Sequence, residues 1–148
     1  ADILLRAPTK TIAFTGAANL GQAGTAVTVW TITGRVQIFA FPAPFVTEGL
    51  VSTINLGTIS LGLTNVVLGF IAATTVGAGV FAVNDWWNTA DVSPSAGQDL
   101  IRQPNDVTIM AAISENIIID CLTQNITDGT LVFDGLWYRP LTAGASLT

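Results

Sequence analysis

The acidic residues of one polar segment are the first candidates for chemistry in this chain. Residues 84–106 read NDWWNTADVSPSAGQDLIRQPND and contain Asp85, Asp91, Asp99 and Asp106. Two carboxylates that flank a glycosidic bond can hydrolyse it, but no spacing among these four selects a pair. The chain also has no histidine, which removes Ser-His-Asp and Cys-His catalysis and disfavours a zinc site. We interpret the four acids as solvated loop residues, and we predict no catalytic residue and no enzyme activity.

Oxygen donors in the same segment offer a second kind of chemistry, the binding of calcium. The donors are Asn84, Asp85, Asn88 and Asp91, and carboxylate and amide oxygens are ligands that Ca²⁺ accepts. Their spacing is not that of a recognisable calcium loop. We therefore predict no metal site and no cofactor.

Trp86 and Trp87 are adjacent in this segment. Neighbouring side chains of a strand point to opposite faces, so we expect one tryptophan in the core and one outward. An outward tryptophan can stack on a sugar ring or anchor a protein interface. A loop of this length is usually functional or held by a partner. We predict an interface that includes Trp86, Trp87, Arg102 and Arg139, with Arg102 paired with a nearby acid.

The chain carries few charges for its size. Half of its 148 residues are hydrophobic and only 10% are charged, against about 25% in typical soluble domains. Because obligate interfaces are depleted in charge, we predict burial against other chains; a surface of Thr, Ser, Asn and Gln is the alternative. The net charge of −5 and five scattered basic residues disfavour a nucleic-acid partner.

Cys121, the single cysteine, excludes an internal disulfide and is interpreted as a small buried residue. The first residues lack the layout of a secretory signal, so the sequon at Asn125 is interpreted as a chance match.

The segment from Ile117 to Arg139 is the strongest structural signal. Two apolar runs flank Asp128 and Gly129, a dipeptide that tolerates the positive φ of a tight hairpin turn. The segment therefore predicts a long antiparallel ribbon. Its alternation places Leu131, Phe133 and Trp137 on one face and Thr130, Asp134 and Tyr138 on the other.

Other segments also have strand patterns. Residues 25–40 are rich in β-branched residues, with a slip near Trp30 that predicts a bulge or tight turn near Gly34. Residues 50–63 predict two strands or one bulged strand, with a buried face in each part: Leu50, Ile54 and Leu56, then Ile59, Leu61 and Leu63 beyond Gly57. Residues 66–83 are uncharged over 18 residues, but their glycines, their β-branched residues and the lack of flanking basic residues favour buried strands over a membrane helix.

The expected fold is all-β: a single domain over residues 1–148, folded as an antiparallel β-sandwich or jelly roll of eight to ten strands. Residues 1–14 are expected to form an N-terminal arm or an edge strand, and residues 84–106 a long loop.

Three segments, ISLGL with the apolar stretch after it, NDWWNTADVSP, and SENIII…NITDGTLVFDGLWYRPLTAGASL, resemble small virion structural proteins of tailed bacteriophages. The resemblance covers residues 50–148 and includes the ending Trp137, Tyr138, Arg139, Pro140 and Leu141. It implies a capsid decoration or cement protein, a homotrimer that binds and reinforces the major capsid protein lattice. Such a protein is made in the host cytoplasm and located on the virion capsid surface. The alternative is a head-fibre or tail component that binds a receptor or glycan. No membrane partner is expected.

Overall fold

The fold is all-β and antiparallel, as predicted. The computed structural model of the chain describes residues 4–39, 44–88, 91–94, 109–111 and 115–148. These residues form fourteen strands and one 3-10 turn, Thr53–Asn55, with no α-helix among them. The strands are β1 (Leu5–Arg6), β2 (Lys10–Ala13), β3 (Ala26–Thr33), β4 (Val36–Phe39), β5 (Phe45–Ser52), β6 (Gly57–Leu63), β7 (Val66–Val76), β8 (Asp85–Asn88), β9 (Asp91–Pro94), β10 (Ile109–Ala111), β11 (Asn116–Leu122), β12 (Ile126–Phe133), β13 (Trp137–Pro140) and β14 (Ser146–Leu147).

Two five-stranded sheets build the sandwich. Their strand orders are β14-β3-β11-β6-β7 and β2-β12-β5-β8-β9, and a four-stranded sheet, β1-β13-β4-β10, continues from them. The apolar faces of the two larger sheets meet in one core, where the ring of Trp30 on β3 packs edge-on against Phe133 on β12, with centroids 5.7 Å apart. The N-terminal residues supply edge strands, β1 and β2, which agrees with the edge-strand expectation.

The slip in alternation near Trp30 is a β-bulge, as predicted. Ile117 pairs with Trp30, and the next residue, Ile118, pairs with Thr28. Val29 is therefore the extra residue, and both Val29 and Trp30 are buried although they are adjacent. The bulge lets β3 bring two apolar side chains to the core in succession.

Residues 50–63 form two strands, β5 and β6, with the change at Gly57 as predicted. The burial expected for Ile59, Leu61 and Leu63 is confirmed. The burial expected for Ile54 and Leu56 is wrong, because the 3-10 turn interrupts the alternation and leaves both side chains exposed.

The ribbon predicted between the two C-terminal runs is wrong. The two runs, β11 and β12, belong to different sheets, because the chain crosses from one sheet to the other at Thr123, which has a φ of 67°. Gly129 lies inside β12, where the pairing with β5 shifts register. The positive φ predicted for Gly129 is confirmed at 108°; that conformation belongs to an irregularity within the strand and not to a hairpin turn.

The face predicted for Trp137 is also wrong. Leu131 and Phe133 are buried as expected, but β12 ends there and Gly135 takes a φ of 81° before β13 begins. The alternation restarts, so Tyr138 is buried and Trp137 is exposed.

Residues 84–106 are not a loop throughout. The segment opens as a hairpin of β8 and β9, in which Asp85 pairs with Pro94 and Asn88 with Asp91. The described residues contain no helix with the length and apolar character that a membrane crossing requires.

Candidate interaction surface

The adjacent tryptophans lie on opposite faces of β8, as predicted. The Trp87 side chain is fully buried, packs edge-on against Phe81 and donates a hydrogen bond from Nε1 to Oγ1 of Thr74 at 3.0 Å. Trp86 is half-buried, with its ring 4.7 Å from that of Phe45. Trp87 therefore belongs to the core of its own chain, and we do not retain it as an interface residue. Trp86 keeps a surface that a partner can reach.

Arg139, the other predicted interface residue within the described part of the chain, does not join Trp86. Arg139 lies on β13, in a different sheet, where Nη2 donates to Oε1 of Gln37 at 2.6 Å. Arg102, with its predicted ion pair, lies outside the described residues. The three of these residues that the structure describes lie apart: Trp86 and Trp87 on opposite faces of β8, and Arg139 on β13 in another sheet.

Of the acids considered for hydrolysis or calcium binding, Asp85 is the one whose side chain the structure describes. Its carboxylate Oδ2 accepts the backbone N–H of Ala82 at 2.8 Å, which holds the turn before β8. The side chains of Asn88 and Asp91, and all of Asp99 and Asp106, lie outside the described part. Among the described residues, no three His, Cys, Asp or Glu side chains come together.

A different surface emerges at one end of the sandwich, and we call it the apolar end. Four chain reversals meet there: residues 15–25, 53–56, 77–80 and 123–125. Each reversal, or the strand end beside it, carries a large exposed apolar side chain; the set is Leu20, Ile54, Leu56, Val80 and Leu122. The sequence of these reversals contains no Asp, Glu, Lys or Arg. Large exposed apolar patches mark interaction sites in soluble proteins, so this group of side chains is the candidate surface.

Backbone hydrogen bonds fix the reversals of the apolar end to one another. The N–H of Thr53 donates to the carbonyl of Asn125 at 2.9 Å, and the N–H of Ile126 donates to Gly21 at 2.8 Å. The hydroxyl of Thr123 donates to the carbonyl of Leu56. The exposed side chains are therefore presented on a connected frame.

The strongest single feature of the apolar end is Ile54. Its side chain is 68% exposed, and its backbone lies in the left-handed region at φ 47°, ψ 23°. A β-branched residue is a genuine outlier there, because its Cβ crowds the following carbonyl. Isoleucine is unfavourable here both for the left-handed backbone and for the exposed position, whereas glycine or asparagine would suit the backbone and leave no apolar side chain in water. Strain retained at an exposed apolar residue points to a role in binding.

Charged residues collect at the other end of the same strands. Lys10 opens β2, Glu115 precedes β11, Arg35 follows β3 and Asp134 follows β12. We call this the charged end. The Nδ2 amide of Asn65 donates to Glu115 there at 2.9 Å. The four reversals of the apolar end therefore carry no charge, although Asp120 and Asp128 lie within β11 and β12, two residues from Leu122 and Ile126.

Among the described residues, the pKa values of three ionisable groups are shifted by their surroundings. The Thr9 hydroxyl, followed by the Arg6 guanidinium, lowers the pKa of Asp134 by hydrogen bonding to its carboxylate. Burial raises the pKa of Asp120. Burial, followed by the charge of Asp120, raises the pKa of the Cys121 thiol to about 12. Cys121 lies fully buried inside β11, so its interpretation as a small buried residue is confirmed.

Sequence reasoning missed the apolar end, although a signal was present. Residues 11–34, 49–84 and 121–127 contain no charged residue, and these stretches supply the four reversals. Within these runs, residues 66–83 were interpreted as buried strands and residues 50–63 as strands with a buried face. Only the positions of the turns show which of their apolar residues remain in solvent.

Comparisons with protein-family models, with curated proteins and with solved structures find no match to this chain.

Proposed function

We propose that this chain is a virion structural protein of a tailed bacteriophage, and that it binds the major capsid lattice as a decoration or cement protein. The proposal is supported by the resemblance of residues 50–148, by the low content of charge and by the uncharged reversals with exposed apolar side chains at the apolar end. The exposed, strained isoleucine at position 54 is the observation that carries it, because a docking partner would bury that apolar side chain.

In this proposal, the apolar end is the part that docks. Apolar side chains gain about 25 cal/mol per Å² when a partner removes them from water. The reversals at this end carry no charge, so the contact avoids the cost of desolvating ions. The chain assembles as a homotrimer where capsid subunits meet, and each copy buries on the order of 2,000 Å² in total. A docked copy leaves its charged end toward solvent.

Copy number is the experiment that tests the function. Quantitative mass spectrometry of purified particles counts this chain relative to the major capsid protein. A count in the hundreds supports shell decoration, since the lattice repeats over the whole shell. A count of a few to some dozens contradicts the proposal and favours a head-fibre or tail component that binds a receptor or glycan.

A further inference from the structure

Trp137, at the charged end, presents an exposed indole ring. Trp137 is 43% exposed, and in the part of the chain that the structure describes no ring stacks on it and no group hydrogen-bonds to its indole N–H. Core packing does not account for an aromatic ring in this position. Its surroundings indicate what it can bind.

Arg6, one member of an ion pair, lies across from Trp137 on the neighbouring strand. Arg6 on β1 is the direct cross-strand partner of Trp137 on β13. The N–H of Ala7 donates to the carbonyl of Leu136 at 2.8 Å, which makes the next pair along, Arg6 and Trp137, a non-hydrogen-bonded pair. The side chains of such a pair lie on one face at close range.

The Arg6 guanidinium is held in place by Asp134. The two side chains form an ion pair through Oδ1 of the carboxylate, and the Thr9 hydroxyl donates to the same oxygen at 2.9 Å. The short segment between Arg6 and Thr9 is itself anchored, because the carbonyl of Pro8 accepts the Nε1–H of the buried Trp30 at 2.9 Å. The charged groups are therefore organised before any ligand arrives.

We propose that Trp137, Arg6 and Asp134 form a binding site for a neutral sugar. A pyranose has one face of C–H groups that can cover the indole, and hydroxyls at its rim that can bond to the guanidinium and the carboxylate. An apolar peptide fits less well, because it would bury the ion pair without replacing the hydrogen bonds that water makes to the two charged groups. A nucleotide is disfavoured, because its phosphates would meet a carboxylate on a chain with a net charge of −5. The site lies at the charged end, so it goes beyond the proposed docking function and stays open when the apolar end is covered.

Saturation-transfer NMR on the intact protein tests the site. The probes are maltotriose, cellotriose, chitotriose and galactobiose, with N-acetyl-leucinamide as a peptide mimic. We expect transfer to the C–H protons of at least one saccharide and binding about tenfold weaker in Trp137→Ala, the loss expected for a stacked ring. Trp86→Ala is the matched control and should leave the binding unchanged, since it removes a partly exposed tryptophan elsewhere.

A second variant covers the case in which Trp137→Ala disturbs the edge strand. Asp134→Asn keeps the ring and the shape of the side chain but removes the charge that pairs with Arg6, and we expect it to weaken saccharide binding while circular dichroism shows that the strands are retained. The proposal is overturned if none of the four saccharides receives saturation, or if binding survives both variants. Transfer to N-acetyl-leucinamide alone, lost in Trp137→Ala, would also overturn it and identify a peptide-binding surface instead.

Discussion

Replacement of Gly129 by alanine tests the most constrained point of the sandwich. Gly129 lies in β12 at a φ of 108°, in a region that residues with a Cβ rarely enter. A Cβ placed there would lie 2.5 Å from Cα of Leu50 and 2.7 Å from the carbonyl oxygen of Gly49. Both atoms belong to the backbone of β5, so no side chain can rotate away to make room.

Two effects set the magnitude of the Gly129→Ala change. A non-glycine residue in a sparsely populated region costs about 1–3 kcal/mol. Overlap in a packed region costs about 1–3 kcal/mol more. Alanine also lowers the conformational entropy of the unfolded chain, which offsets the loss of stability by about 0.5–1 kcal/mol. The free energy of unfolding should therefore fall by about 1–5 kcal/mol, and a loss near the middle of that range lowers the melting temperature by roughly 10 °C in a domain of this size.

Gly24 provides the matched control for this change. Its φ is also positive, at 82°, but a Cβ there would meet nothing within 4 Å. Gly24→Ala should cost about 1–2 kcal/mol from backbone strain alone. Urea unfolding followed by circular dichroism gives both free energies. If Gly129→Ala costs no more than Gly24→Ala, the close approach of β5 to β12 described above is wrong.

The other stability predictions follow from burial and backbone strain. Ile54→Asn should raise the free energy of unfolding by up to about 1 kcal/mol, because asparagine tolerates the left-handed region; a lower value in urea unfolding would mean that Ile54 is not strained. Trp87→Ala should cost about 3–5 kcal/mol and Trp86→Ala much less, and equal melting temperatures for the two variants would contradict their placement on opposite faces of β8. The melting temperature should fall as pH rises from 9.0 toward about 12, because the Cys121 thiol ionises in the unfolded chain before it can ionise in the folded one. Cys121→Ala should remove that part of the slope, and an unchanged slope would place the thiol in contact with water.

Local pattern indicated the all-β class and the conformation of several single residues. It predicted eight to ten strands, whereas the described residues form fourteen. The slip at Trp30 predicted a bulge because a period of two cannot place Val29 and Trp30 on the same face otherwise. The positive φ of Gly129 and the opposite faces of Trp86 and Trp87 followed from residue type and position alone. These features depend on neighbours in the sequence, which a single chain displays.

Pairing between strands was beyond the sequence. An Asp-Gly pair between two apolar runs favours a hairpin, yet β11 and β12 enter different sheets. The crossing depends on Thr123, a β-branched residue at positive φ, which no propensity predicts. Trp137 was assigned to the wrong face for a related reason, because the break at Gly135 resets the alternation.

The candidate surface depended on turn positions that the sequence pattern left open. Leu50, Ile54 and Leu56 share one parity, but only Leu50 is buried. The 3-10 turn moves the other two into solvent, and the neighbouring reversals bring Leu20 and Leu122 to the same end. A surface assembled from four separate segments has no continuous motif, so composition could indicate an interface without locating it.

A matched pair of leucines tests the proposed docking surface most directly. Leu56 at the apolar end and Leu4 near the charged end are each 54% exposed, so Leu56→Asn and Leu4→Asn remove the same exposed apolar side chain from opposite ends of the sandwich. Occupancy is measured by mixing each variant with capsids that lack this chain and quantifying the bound protein. We expect Leu56→Asn to reduce occupancy at least about tenfold, as for an anchor that contributes 2 kcal/mol or so, and Leu4→Asn to match the wild type. Equal occupancy for both variants, or a loss confined to Leu4→Asn, would contradict the assignment of the apolar end as the docking surface.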